Sequence, residues 1–232
     1  MKRLFQLGIA ALAIAVLSTS CFVRVQQSAM TGDGEVAVAE GTNGSRSMDL
    51  ADYDEVYIYG AFDVRCLVGE PSAVITGPDE LIKYVKVECK DGKTTVKMPK
   101  SGVRDAGRAY IRIDLYSVSI SKVYSSGASD ISVEKLSGVH CGLTISGAGD
   151  ASVHGIEADE VSLKINGSGD INAVGIAVGE LDADISGSGD IYLSGKADDA
   201  SASISGSGVI NAKKLECGRF SSKISGSGVV NR

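Results

Sequence analysis

The chain has 232 residues, 44% of them apolar, with 29 glycines, no tryptophan and a formal net charge of −6. That apolar share is ordinary for a folded protein, and the glycine content without a collagen period fits a fold with a tight corner in every repeat. The acidic balance argues against a nucleic-acid or anionic-lipid binding surface, because such partners would be repelled.

The first segment, residues 1–20, has Lys2 and Arg3 ahead of an apolar run from Leu7 to Leu17 and then small residues before Cys21. This is the pattern of an export signal, too short for a retained span. Leu17-Ser18-Thr19-Ser20-Cys21 resembles a bacterial lipobox, with the leucine four residues before the cysteine instead of three. The resemblance implies cleavage before Cys21 and a lipid anchor on its sulfur; plain cleavage after Ser20 is the other outcome. Residues 21–47 are polar and rich in Gly, Ser and Gln, the composition of a flexible tether.

Residues 48–124 alternate in twos. Tyr57-Ile58-Tyr59 and Phe62, Val64, Cys66 and Val68 read as strands, and Asp79–Tyr84 reads as one helical turn capped by Asp79. Val85, Val87 and Cys89, then Asp91-Gly92, then Thr94, Val96 and Met98 give a tight hairpin. Pro99–Arg108 is a charged loop, and Tyr110–Val123 returns to strand. Pairing of Cys66 with Cys89 stays open at this point, whereas Cys141 and Cys217 fall in different columns about 19 Å apart and are expected to be free.

Residues 125–232 repeat. The first glycine of a Ser-Gly-Ser-Gly-Asp-Ile motif falls at Gly127, Gly147, Gly167, Gly187, Gly206 and Gly226, at spacings of 20, 20, 20, 19 and 20 residues. Apolar columns follow: Ile131, Ala151, Ile171, Ile191, Ile210 and Val230; Leu136, Ile156, Ile176 and Leu215, with Lys196 interrupting; and Ile145, Ile165, Ile185, Ile204 and Ile224. Short apolar runs separated by breaks, repeated every coil, predict an all-β fold, a right-handed parallel β-helix of about 20 residues per coil, because each unit buries its apolar side only against its neighbours.

The carboxylates Asp130, Asp150, Asp170 and Asp190 then stack as a ladder, with Val209 and Val229 in the same column of the last two coils. Neighbouring charges about 5 Å apart repel by roughly 0.8 kcal/mol in a water-like dielectric, so something must offset them. Turn amides donating to each carboxylate would do so; a calcium ion between coils is the alternative reading, by analogy with shorter nonapeptide rolls. His140 and His154 sit beside inward columns and are expected to point to solvent with no regular carboxylate partner. Tyr53, Tyr57, Tyr59, Tyr84, Tyr110, Tyr116 and Tyr124 concentrate in the first half, as strand formers or as a contact strip. No catalytic order of residues, metal-ligand spacing or phosphate loop is present. An apolar final coil is expected to offer an open edge for weak self-association.

The lipoprotein-like start, Gly77-Pro78-Asp79-Glu80-Leu81-Ile82 leading into Val85-Lys86-Val87 and Asp91-Gly92, and the repeated Gly-Ser-Gly-Asp-Ile corner together resemble the autotransporter adhesin head GIN domain family over about Tyr53–Asn231. Asp170-Ile171-Asn172 matches the family repeat best, and Val209 and Val229 depart from it. The resemblance implies a pectin-lyase-like β-helix, a cell-adhesion role and no established catalytic residues. The expected function is therefore a non-catalytic cell-envelope lipoprotein, membrane-bound through its anchor, that presents a β-helical surface to an extracellular or periplasmic carbohydrate or protein. The alternative is a polysaccharide lyase or hydrolase using the acidic residues of the β-helix face.

Overall fold

The computed structural model describes residues 43–98 and 111–232. The expected signal segment, Cys21, most of the tether and the charged loop lie outside the described residues.

Strand β1 (Asn43–Asp49) opens the described chain, followed by β2 (Glu55–Gly60) and β3 (Asp63–Val68), which form a first coil. An excursion follows: β4 (Ser72–Pro78), helix α1 (Asp79–Ile82), β5 (Lys86–Lys90), β6 (Lys93–Lys97) and β7 (Arg112–Ser117). The chain returns in β8 (Lys122–Gly127) and β9 (Asp130–Val133) and then stacks coil on coil through β10 (Leu136–Gly147), β11 (Ala151–Val153), β12 (Ile156–Gly167), β13 (Ile171–Gly187), β14 (Asp190–Gly206), β15 (Val209–Gly226) and β16 (Val229–Asn231). All of these strands belong to one sheet. Every pairing from β8 onward is parallel, as in a β-helix.

Each coil has three sides, because the inward parity of the side chains changes twice. In β13, Ile171 and Ala173 are buried on the first side, Ile176 and Val178 on the second, and Leu181, Ala183 and Ile185 on the third. Ladder register brings equivalents together: Ile145 faces Ile165, which faces Ile185, which faces Ile204. All four are buried, and each contributes about 1.5–3 kcal/mol of transfer free energy. Ala158, Val178 and Ala197 add an inward column that the periodic reading leaves out.

The corner explains the glycines. Gly187 has φ 142°, and a Cβ there would lie 2.0 Å from the carbonyl oxygen of Gly167 in the coil below. That oxygen accepts the amide hydrogen of Ser188 at 2.9 Å, so coils touch backbone to backbone at this glycine corner. The same stacking extends to Gly60 of the first coil, which pairs with Gly127.

Several local expectations need correction. The last five residues of the expected tether, 43–47, lie in β1, which pairs antiparallel with β4, and Arg46 donates to the Val85 carbonyl at 2.5 Å. Alternating polar residues on an edge strand look like a linker in sequence, since only one face is covered. Asp79 is the first residue of α1 and Pro78 stands at the cap, without a side-chain capping bond. Lys196 does not interrupt an inward column: Gly195 pairs with Ile176 and Leu215 there, and Lys196 turns outward to pair with Glu216. The 19-residue coil takes up its deletion at the corner between first and second sides, where Ala173 and Ile176 lose register with the strand above.

Cys66, Cys89, Cys141 and Cys217 are free thiols. Burial pushes the Cys66 thiol up to about 12, which keeps it protonated and inert. Cys89 donates to the Ala51 carbonyl at 3.3 Å. The Asp91-Gly92 hairpin forms as expected, both residues having positive φ (52° and 75°) between antiparallel β5 and β6. Among the described residues no helix is long and apolar enough to cross a membrane.

Candidate functional site: a groove along the first side

The four ladder aspartates do line up, and their register reveals how the charges are tolerated. The amide of Asp170 donates to Asp150 Oδ1 at 2.9 Å, that of Asp190 to Asp170 Oδ1 at 2.8 Å, and that of Val209 to Asp190 Oδ1 at 2.8 Å. The first rung is longer, Asp150 N to Asp130 Oδ1 at 3.4 Å. Each carboxylate therefore closes the corner of the next coil. A hydrogen bond to a charged acceptor is worth about 1.5–3 kcal/mol, which outweighs the repulsion between rungs. The ladder can stop at Val209 because the following rung uses backbone alone: Val229 N donates to the Gly208 carbonyl at 3.0 Å. Among the described residues no group of three or more His, Cys, Asp or Glu side chains converges as a metal site.

The column has a fifth acidic member that the repeat spacing hides. Asp63 pairs with Asp130 across the ladder and receives Arg112, whose Nε lies 2.8 Å from Asp63 Oδ2. Beside it, Arg65 makes a two-pronged contact with Asp114, both bonds 2.6 Å, and Asp114 is buried. These pairs close the first end of the side with matched charge.

Further along, the column next to the aspartates is uncharged: Ser132, Ser152, Asn172, Tyr192, Asn211 and Asn231 stand in successive register. Here the wall rises into a groove of about 570 Å³ lined by Asp150, Ser152, Asp170, Asn172, Val174, Tyr192, Ser194, Asn211, Lys213 and Lys214, with Ala151 and Leu193 at its base. Tyr192 is 42% exposed, flanked by the amides of Asn172 and Asn211, and its hydroxyl donates to Asp190 Oδ2 at 3.3 Å. The neighbouring charge of Asp190 raises the phenol above its ordinary value, so the hydroxyl stays protonated. An apolar ring ringed by amides, hydroxyls and carboxylates is suited to a ligand with a flat CH face and many hydroxyls. The aspartates are legible in sequence; Tyr192 and Asn211 carry no repeat of their own, and their two-residue offset from the ladder column is the signal that places them beside it.

The other residues fall elsewhere. His140 does meet a carboxylate, since Nδ1 lies 2.9 Å from Glu160 Oε2 in the coil above, contrary to expectation; both side chains are exposed, so the pair is weak. His154 faces Ser132 at 3.4 Å. Among the described residues the tyrosines do not form one strip. Tyr57, Tyr59 and Tyr124 cluster on the third side with ring centroids 5.9 and 6.0 Å apart at 39° and 52°, while buried Tyr53 donates to the Tyr116 carbonyl at 2.7 Å. Under the cluster, burial would raise the Glu55 carboxyl, but bonds from Tyr57, Lys122 and Lys93 hold it below its ordinary value.

Solved bacterial structures share this architecture. A structure of a "putative adhesin" from Bacteroides fragilis superposes with a TM-score of 0.64 at 17% identity, covering 82% of this chain and 96% of the other. A "putative adhesin" from Parabacteroides distasonis gives 0.57 at 21%, covering 83% and 97%. A "putative lipid binding protein" from the same species gives 0.55 at 19%, with the same coverage. At these identities the likeness shows the fold. No curated protein matches the chain. The profile described as "Putative auto-transporter adhesin, head GIN domain" spans residues 52–231, nearly the whole β-helix together with its first coil, and the chain belongs to that family.

Proposed function

We propose that the protein is an exported, envelope-anchored adhesin that holds carbohydrate in the Tyr192 groove without transforming it, with the lipid on Cys21 as its anchor. The observation that carries this reading is the half-exposed Tyr192 ring standing between Asn172 and Asn211. An aromatic face takes the CH face of a sugar, and flanking amides donate to and accept from its hydroxyls. The same residues argue against catalysis. Asp150 and Asp170 are like groups in like settings, each engaged with the amide of the next coil, whereas bond cleavage needs unlike groups converging on one atom.

Glycan-array binding by the soluble chain beginning after Cys21, followed by calorimetry on the hits, tests the reading. Tyr192→Ala is expected to weaken binding about tenfold with unchanged thermal midpoint. Binding to protein targets alone, or release of unsaturated or reducing ends from bound polysaccharide, would overturn it. Loss of membrane fractionation on Cys21→Ser tests the anchor separately.

A further inference from the structure

The groove is electrically lopsided, and its asymmetry follows from a register slip. Between β14 and β15, Tyr192 faces Asn211 but Ser194 faces Lys214, so β15 carries one extra residue at this corner. Ala212 fills the inward place, and Lys213 is extruded onto the groove wall beside Lys214. Both lysines are exposed and neither forms an ion pair among the described residues, although most other lysines described have a carboxylate within 4 Å. The Lys213 amide donates to Asn211 Oδ1 at 3.3 Å, which engages that oxygen and leaves the Asn211 amide NH₂ as a donor. At the opposite end of the groove stand Asp150 and Asp170. The last carboxylate of the ladder is Asp190, and its column continues as Val209 beside the lysines.

We propose that the groove selects anionic glycans and binds them in one direction: a sugar carboxylate or sulfate meets Lys213, Lys214 and the Asn211 amide, the sugar ring lies on Tyr192, and a hydroxyl-rich neutral sugar meets Asp150 and Asp170. This rests on the carbohydrate reading of the groove. Two unpaired cations on an otherwise acidic chain are a local inversion of charge, and exchange of the carboxylate column for valine removes the repulsion that an anionic ligand would meet there. A ligand with charge along its whole length would be opposed at the aspartate end, so the preferred form carries its anion at one end or at alternate sugars.

Calorimetry at low salt with three oligosaccharides of equal length tests this: a uronate-containing one, its carboxyl-reduced neutral form, and a sulfated one. The wild-type chain is expected to prefer at least one anionic form over the neutral form by about tenfold, a preference that falls with added salt. The double variant Lys213→Ser with Lys214→Ser is expected to lose that preference, with an unchanged thermal midpoint. The uronate and sulfate arms tell which anion is used. Equal binding of neutral and anionic forms by wild type, or a preference that survives the double variant, overturns the proposal while leaving carbohydrate binding intact. Failure of wild type to bind any of the three, or any glycan on the array, overturns both.

Discussion

The regular coils after Gly127 and the excursion, described over residues 69–98 and 111–121, are built from the same kind of strand by opposite logic. Along the sides of the coils, repeated positions meet one turn away: glycine on glycine, isoleucine on isoleucine, carboxylate on the amide of the next carboxylate residue. In the excursion, β6 and β7 pair in parallel with the first coil, while other pairings turn antiparallel, as in β4 with β7 and β5 with β6. Charge is settled by individual pairs in both regions, Lys97 with Glu88 in the excursion and Lys135 with Glu157 in the coils. The difference teaches that a repeat makes one backbone decision and applies it many times, whereas the end of the stack must satisfy each strand edge separately.

The largest expected effect tests that shared decision. Gly187→Ala would place a methyl 2.0 Å from the Gly167 carbonyl oxygen at φ 142°, whereas Gly69→Ala in the excursion meets only the Tyr116 ring at 3.2 Å. The first is expected to cost at least about 3–4 kcal/mol or to prevent folding, the second under about 1 kcal/mol. Comparable costs in urea titration would break the contrast between the two regions.

A smaller effect sharpens it. Asp170→Ala removes the acceptor for the Asp190 amide and is expected to cost about 1–3 kcal/mol. Asp170→Asn keeps a carbonyl oxygen in the same place and relieves repulsion along the column, so it should recover most of the loss. If the two variants melt alike, the carboxylate is not closing the corner.

The smallest belongs to the first coil. Glu55 is held below its ordinary carboxyl value despite the opposing effect of burial, by Tyr57, Lys122 and Lys93. A carboxyl depressed in the folded state contributes stability that is present above the unfolded value, about 4.5, and is lost as pH falls through the folded value. The deficit of Glu55→Gln, about 1 kcal/mol at neutral pH, is therefore expected to shrink steadily below about pH 4.5. A deficit constant from pH 7 to 3 would show that the ion pairs contribute nothing there.

What could be read in the sequence divides along the same line. The inward columns of Ile145, Ile165 and Ile185 follow from period alone, because stacking makes each position repeat its own environment. Asp63 escaped because its coil is separated from the next by the excursion: Gly60 and Gly127 are stacked neighbours, yet no 20-residue period joins them. Counting a fixed side length from the corner puts Lys196 in an inward column, whereas this coil shortens one corner and brings Gly195 there instead. The groove was half legible. Its aspartates announce themselves by repetition, whereas Tyr192 occurs once in its column among serines and asparagines, and a single exception carries no period.

The slip between Leu193 and Gly195 has a consequence for how such a scaffold can vary. Residue 194 alone fills a corner that takes Val174-Gly175 in the coil below and Lys213 with Lys214 in the coil above, while the columns on both flanking sides regain register. Chain length is thus adjustable at this corner without disturbing the stack. Segments grafted between Leu193 and Gly195 would be carried on the rim of the groove, making that junction a natural place to reshape what the groove admits while the rest of the molecule stays fixed.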